Sequence, residues 1–142
     1  MGEIKVSVDL ENTIDRGVFE RGYSEEAAIR TYKTDALVDT GAVMLVLPQN
    51  AVEKLGLKTL PTVVVTYADE RRDERPVAGP LTIQIGDRSM TADCIVGPPL
   101  SEPLIGQIVL EELDLVADCA NQRLMPNPES PDYPSLKLKE SK

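Results

Sequence analysis

Histidine is absent from all 142 residues, and that single absence removes whole classes of chemistry. Without an imidazole there is no Ser-His-Asp or Cys-His relay, no His-bound zinc and no imidazole proton shuttle. Any acid–base work falls to carboxylates. Cysteine occurs only at Cys94 and Cys119, too widely spaced for a thiolate metal site and too few for a disulfide framework. Both thiols are expected in or near the core, and neither a metal nor another cofactor is expected. Basic charge is the minority sign: 15 Lys and Arg against 24 Asp and Glu leave a net charge of −9 and a pI near 4.5. Nucleic acids and anionic membrane surfaces both demand basic patches, so neither is expected as a partner. Long apolar runs are missing too. No segment approaches the length of a membrane span, and Met1 to Leu10 lack the unbroken apolar stretch of a secretion signal. A cytoplasmic location is the expectation.

What is present fits one domain: 42% hydrophobic content over 142 residues supports one core and is too little for two. Residues 1–125 carry the patterned sequence. Residues 126–142, with Pro126, Pro128, Pro131 and Pro134, have little to bury and read as a mobile tail.

Most of the pattern is β. Ile4, Val6, Val8 and Leu10 alternate with polar residues as in a strand with one buried face. Residues 11–25 are mixed, with Gly17 and Gly22 as breakers, and read as a loop or wide hairpin connection. Extended character returns at Ala27 and runs through Val38, and Val43 to Pro48 forms another apolar strand. A short helix follows from Pro48, with Ala51, Val52 and Leu55 on its apolar face and Gly56 at its C-terminal left-handed position. Pro61 to Tyr67 is a strand. Asp69 to Arg75 are seven consecutive charged residues, which read as a solvated hairpin tip. Leu81, Ile83 and Ile85 alternate up to a Gly86-Asp87 turn, and Met90 to Val96 forms the next strand. Pro98, Pro99 and Pro103 bracket a loop, Gln107 to Leu113 has the spacing of a second short helix, and a last strand pair ends near Met125.

Within this order Ala36-Leu-Val-Asp39-Thr-Gly-Ala42 carries a single carboxylate out of an apolar strand into a glycine turn. Asp and Gly also end strands in proteins without chemistry. Here, however, the turn lies between two buried strands that would hold the carboxylate rigidly. Downstream, Pro103-Leu104-Ile105-Gly106 repeats the device of two hydrophobics and a glycine just before a helix.

Together the Asp-Thr-Gly-Ala turn, the charged hairpin, the paired strands from Gly79 to Gly97 and the late Leu104-Ile105-Gly106 resemble a single-domain, retroviral-type (retropepsin-like) aspartic protease over residues 3–125. The resemblance implies an all-β closed barrel of the acid-protease type with one or two short helices. It implies Asp39 as the catalytic residue, supported by Thr40, Gly41 and Ala42, with Leu104, Ile105 and Gly106 in a ψ-shaped loop beneath the turn. Tyr67, Ala68, Asp69 and Glu70 would belong to a flap over the substrate. Two carboxylates must share a proton to hydrolyse a peptide bond, and one Asp-Thr-Gly per chain implies a homodimer acting on an extended polypeptide. Thr40 would hydrogen-bond to its mate across the dimer axis. Three features depart from the retroviral pattern. The hairpin tip contains no glycine. Val43 and Gln107 stand where an acidic residue and an Arg usually bond each other, and the Pro-rich tail argues against an interdigitated C-terminal strand. A catalytically silent domain that dimerises or binds peptides is the alternative. A phospho-aspartyl enzyme is disfavoured because Leu37 is apolar where a second acid would be needed.

Overall fold

The computed structural model describes residues 3–138. Strand β1 (Lys5–Asn12) turns Val8, Leu10 and Asn12 inward. It pairs antiparallel with β2 (Thr31–Val38), the strand that leads to Asp39. Strand β3 (Leu45–Pro48) follows the turn, and helix α2, preceded in the chain by α1 described below, spans Gln49–Leu55. A long hairpin of β4 (Lys58–Thr66) and β5 (Arg72–Ile85) returns the chain to β6 (Arg88–Gly97). The two-residue β7 (Leu104–Ile105) then enters α3 (Gln107–Leu113).

The main sheet runs β1-β2-β7-β3-β6-β5-β4, and a further β1–β5 pairing closes six of these strands into a barrel. Strand β4 stays outside the closure as the outer arm of its hairpin. Leu10, Leu45, Leu47, Leu81, Ile83 and Ile105 are fully buried in the core, each worth roughly 1.5–3 kcal/mol relative to exposure. Cys94 joins them, and burial pushes its thiol up to about 12. The protein is thus β-rich and closed, as its alternating strands imply, and among the described residues there are three short α-helices rather than one or two.

The extra helix is α1 (Thr13–Glu20), inside the stretch expected to be a loop. Asn12 explains it. Its Oδ1 accepts the Asp15 N–H at 3.0 Å and caps the helix, while its Nδ2 donates to the Leu55 carbonyl at 2.9 Å. Arg16 adds a two-point bond to Glu11. Gly17 costs the helix about 1 kcal/mol against Ala and does not break it; the chain leaves helical geometry at Gly22, whose φ is +84°. A 3-10 turn at Glu26–Ala28 then precedes β2.

A two-stranded hairpin of β8 (Leu115–Asp118) and β9 (Arg123–Pro126) ends the patterned region. Cys119 lies at its turn and is exposed, contrary to the near-core expectation, because the turn residues 119–123 all face solvent. Arg88, only 4% exposed, donates to the carbonyls of Leu113, Asp114 and Ser130. The Asp114 carboxylate accepts from Asn127 at 3.2 Å, from the Ser130 hydroxyl and from the Ser135 N–H at 2.9 Å. Polar bonds rather than apolar burial therefore hold residues 127–135 against the barrel. Among the described residues no helix is long and apolar enough to cross a membrane.

Candidate active site

The carboxylate-bearing turn is fixed by backbone bonds from three directions. Leu37 pairs with Leu104 and Val38 with Ile105 in a parallel ladder, while Val46 of β3 pairs with Leu104 from the other side. β7 is thus wedged between the strands that enter and leave the turn. The Leu37 N–H donates to the Pro103 carbonyl at 2.9 Å, and the Asp39 N–H to the Ile105 carbonyl at 3.0 Å. Helix α3 begins at Gly106 without any side-chain cap. Its first two N–H groups are satisfied by the turn itself: Gln107 donates to the Ala42 carbonyl at 2.8 Å and Ile108 to that of Val43 at 3.0 Å. The ψ-loop and the Asp39 turn therefore cap one another.

Glycine is needed at Gly106 for space. A Cβ there would lie 2.5 Å from the Met44 carbonyl oxygen and 2.8 Å from that of Ala42, and both are backbone atoms that cannot step aside. Gly41 sits in the turn without a left-handed φ. Its role is proximity to the acid. The Gly41 N–H donates to Asp39 Oδ1 at 3.0 Å, and a Cβ on Gly41 would approach that oxygen to 3.2 Å. The Ala42 N–H donates to the Asp39 carbonyl at 3.0 Å and closes the turn. Asp39 is left half-buried with one oxygen bonded and the other open to the cleft. Thr40 is exposed, and among the described residues its hydroxyl has no hydrogen-bond partner.

Asp39, Gly41 and Ala42 line one wall of a cleft of about 730 Å³. Leu104 lines it too, whereas Ile105 and Gly106 lie behind it and are buried. The β4–β5 hairpin forms the roof. Tyr67 and Ala68 line the cleft, while Asp69 and Glu70 project away from it into solvent. Asp69 instead accepts the Arg71 N–H at 3.1 Å, and the Arg71 guanidinium stacks 4.5 Å from the Tyr67 ring centre. The tip is residues 67–71 and not the whole charged run: β5 already begins at Arg72, with Arg72, Asp73, Glu74 and Arg75 paired to Thr66, Val65, Val64 and Val63.

Sequence reasoning passed over other cleft residues. Val63 and Val65 of β4 share one face, which their period of two could have flagged. Arg75 lies in the cleft, hidden in sequence by its charged neighbours, and Ser101 and Glu102 sit in a loop without a local signal. Glu102 pairs with Lys5 at 3.7 Å. Among the described residues no three His, Cys, Asp or Glu side chains are grouped to hold a metal ion.

A family model described as "gag-polyprotein putative aspartyl protease" matches residues 26–112, more than half of the chain. The chain belongs to this aspartyl protease family. The matched span takes in the Asp39 turn, the hairpin roof and the ψ-loop, and leaves β1, α1 and the β8–β9 hairpin outside it. Among solved structures, the EIAV protease complexed with the inhibitor HBY-793 is similar at 20% identity, over 57% of this chain and 77% of that one, with a TM-score of 0.46. No curated protein matches the chain. Within the family frame the two substituted positions are self-consistent. Val43 is exposed, and Gln107 bonds Glu111 along its own helix at 3.2 Å, so no charge is left stranded where the Asp/Glu–Arg pair would be.

Proposed function

We propose that the protein is an aspartic endopeptidase that works as a homodimer, each protomer contributing one Asp39. The observation that carries this reading is the half-buried Asp39 carboxylate, held by the Gly41 N–H beside a roofed cleft and supplied once per chain. A two-fold axis passing by the two turns would bring the carboxylates together and place the free Thr40 hydroxyls within reach of one another.

In the singly protonated dyad, the ionised Asp39 takes a proton from a bound water as its oxygen attacks the scissile carbonyl carbon. The protonated Asp39 of the partner subunit gives its proton to the carbonyl oxygen. The resulting gem-diol collapses when one of its hydroxyls gives a proton to the now ionised carboxylate of the partner subunit. The amide nitrogen takes the proton that the first Asp39 had drawn from water and leaves as an amine, which restores the singly protonated dyad. The roof excludes bulk water while this happens. Because the active form holds one shared proton, activity follows a bell in pH with two macroscopic pKa values that belong to the pair. An extended polypeptide is the substrate class, and the cytoplasm is the proposed location.

A catalytically silent, peptide-binding dimer is the second reading, favoured by the glycine-free tip and by the paired loss at Val43 and Gln107. Incubation with an unfolded polypeptide between about pH 4 and 7, alongside Asp39→Asn, separates the two. Cleavage by the native protein that vanishes in the variant supports the endopeptidase. Identical cleavage by both removes Asp39 as the catalyst, and no cleavage by either favours the silent domain.

A further inference from the structure

The register of the roof hairpin places Val63 opposite Arg75 and Val65 opposite Asp73, so these four side chains share a face. Val63, Val65 and Arg75 of that face line the cleft. On the roof the cleft thus meets two valines and one guanidinium, with Asp73 on the same face but outside the lining, and the opposite wall sets Val46 and Leu104 beside the acidic Asp39. The Arg75 side chain is 24% exposed. Its Nε and Nη2 donate to one acceptor, the Val96 carbonyl, at 3.0 and 2.7 Å.

That brace leaves the charge unanswered. A carbonyl requires a donor and not a net charge, and a guanidinium has five N–H groups, of which two are used here. The nearest carboxylate is that of Asp73, half exposed and 3.9 Å from Nη1, at the limit of an ion pair and weak in solvent. A cation beside apolar walls, where screening is reduced, favours an anionic guest. The fork of a guanidinium matches a carboxylate in particular. The other charged groups in the cleft, Asp39 and Glu102, are both acidic, and Glu102 already pairs with Lys5. A substrate carboxylate is repelled by these two and has one place to go.

We propose that Arg75 forms a subsite for an acidic side chain, Asp or Glu, of the polypeptide bound in the cleft, a specificity that rests on the endopeptidase reading above. The test uses peptides acetylated and amidated at their ends, so that only side chains carry carboxylates, with Glu exchanged for Gln at one position at a time. Two quantities are measured for each peptide: kcat/KM with the native protein, and binding to Asp39→Asn by fluorescence anisotropy. One position is expected to prefer Glu over Gln by about tenfold in both, equivalent to about 1.4 kcal/mol. Arg75→Gln, which keeps a donor for the Val96 carbonyl, brings that ratio to within about twofold of unity, and Arg75→Glu turns the preference toward Lys. A purely structural Arg75 would lower the Glu and Gln values alike and leave their ratio unchanged.

Equal binding of all Glu and Gln peptides, no binding at all, or a preference that survives Arg75→Gln overturns the subsite. Cleavage without preference rejects the subsite and leaves the endopeptidase standing. A Glu preference in binding, removed by Arg75→Gln but unaccompanied by cleavage, rejects the endopeptidase and upholds the subsite.

Discussion

At the floor of the cleft the backbone bonds to itself across β2, β3, β7 and the start of α3, while at the roof one hairpin reaches out, paired only within itself from Val63 to Arg75 and braced by the Arg75 bonds to the Val96 carbonyl. The floor is small and glycine-dependent, and the N–H groups of Leu37, Asp39, Ala42, Gln107 and Ile108 each meet a carbonyl at ordinary hydrogen-bond distance, while that of Gly41 meets the Asp39 carboxylate. The roof tip is charged and exposed, and it turns at Glu70, a non-glycine residue with φ 66°. The contrast suits the proposed chemistry. A carboxylate that must meet its mate to within a hydrogen bond needs a rigid mount, whereas a cover that admits a polypeptide has to open.

Changes at the floor should be costly and changes at the roof mild. Asp39→Asn has the largest expected effect: a fall in peptide hydrolysis of roughly 10²–10⁴-fold, with the thermal unfolding midpoint little altered. A variant that keeps its activity would separate the turn from catalysis. Next is Gly106→Ala, whose methyl group would be forced against two carbonyl oxygens; a loss of about 3 kcal/mol or more in urea unfolding is expected. A loss below about 1 kcal/mol would mean that the floor yields, and the contrast with the roof would fail. At the roof, Glu70→Gly relieves a left-handed residue worth about 1–2 kcal/mol but adds unfolded-state freedom of about 0.5–1 kcal/mol. The net gain should stay within about 1 kcal/mol by the same unfolding measurement.

The smallest expected effect lies outside the cleft. The Ser130 hydroxyl, the Ser135 N–H and the Asn127 amide together hold the Asp114 carboxyl below its ordinary value of 3.8. A lowered folded pKa means that the unfolded chain binds the proton more readily. The stabilisation is therefore complete above the ordinary value and is lost as pH falls through the folded one. Asp114→Asn should flatten the acid limb of the stability curve below about pH 4 and leave the neutral limb parallel to that of the native protein. An unchanged acid limb would show that the bonds to residues 127–135 do not persist in solution.

The floor was legible in the sequence because its signals are local. Hydrophobic pairs before Asp39 and Gly106, the strand alternation of Leu81, Ile83 and Ile85, and Gly56 closing α2 each act within a few residues. What stayed hidden depends on partners far along the chain or on competing local cues. In α1 the cap at Asn12 outweighs Gly17, and that cap is itself anchored to Leu55, 43 residues away. Arg75 vanished into a run of charges because only the pairing with β4 reveals which of them face the cleft. Arg88 is buried at no evident benefit until carbonyls 25 to 42 residues downstream close around it. Gly41 lies in the turn that its sequence implies, and its closeness to the Asp39 carboxylate emerges only from the fold.

The central claim is that one Asp39 is half of a site. It is tested most directly by mixing native and Asp39→Asn chains at fixed total concentration, allowing subunit exchange, and measuring peptide hydrolysis against the native fraction. A shared dyad predicts activity falling as the square of that fraction, to about one quarter at an equal mixture, because a mixed pair carries only one functional acid. A linear fall, to about one half at an equal mixture, would mean that each protomer works alone.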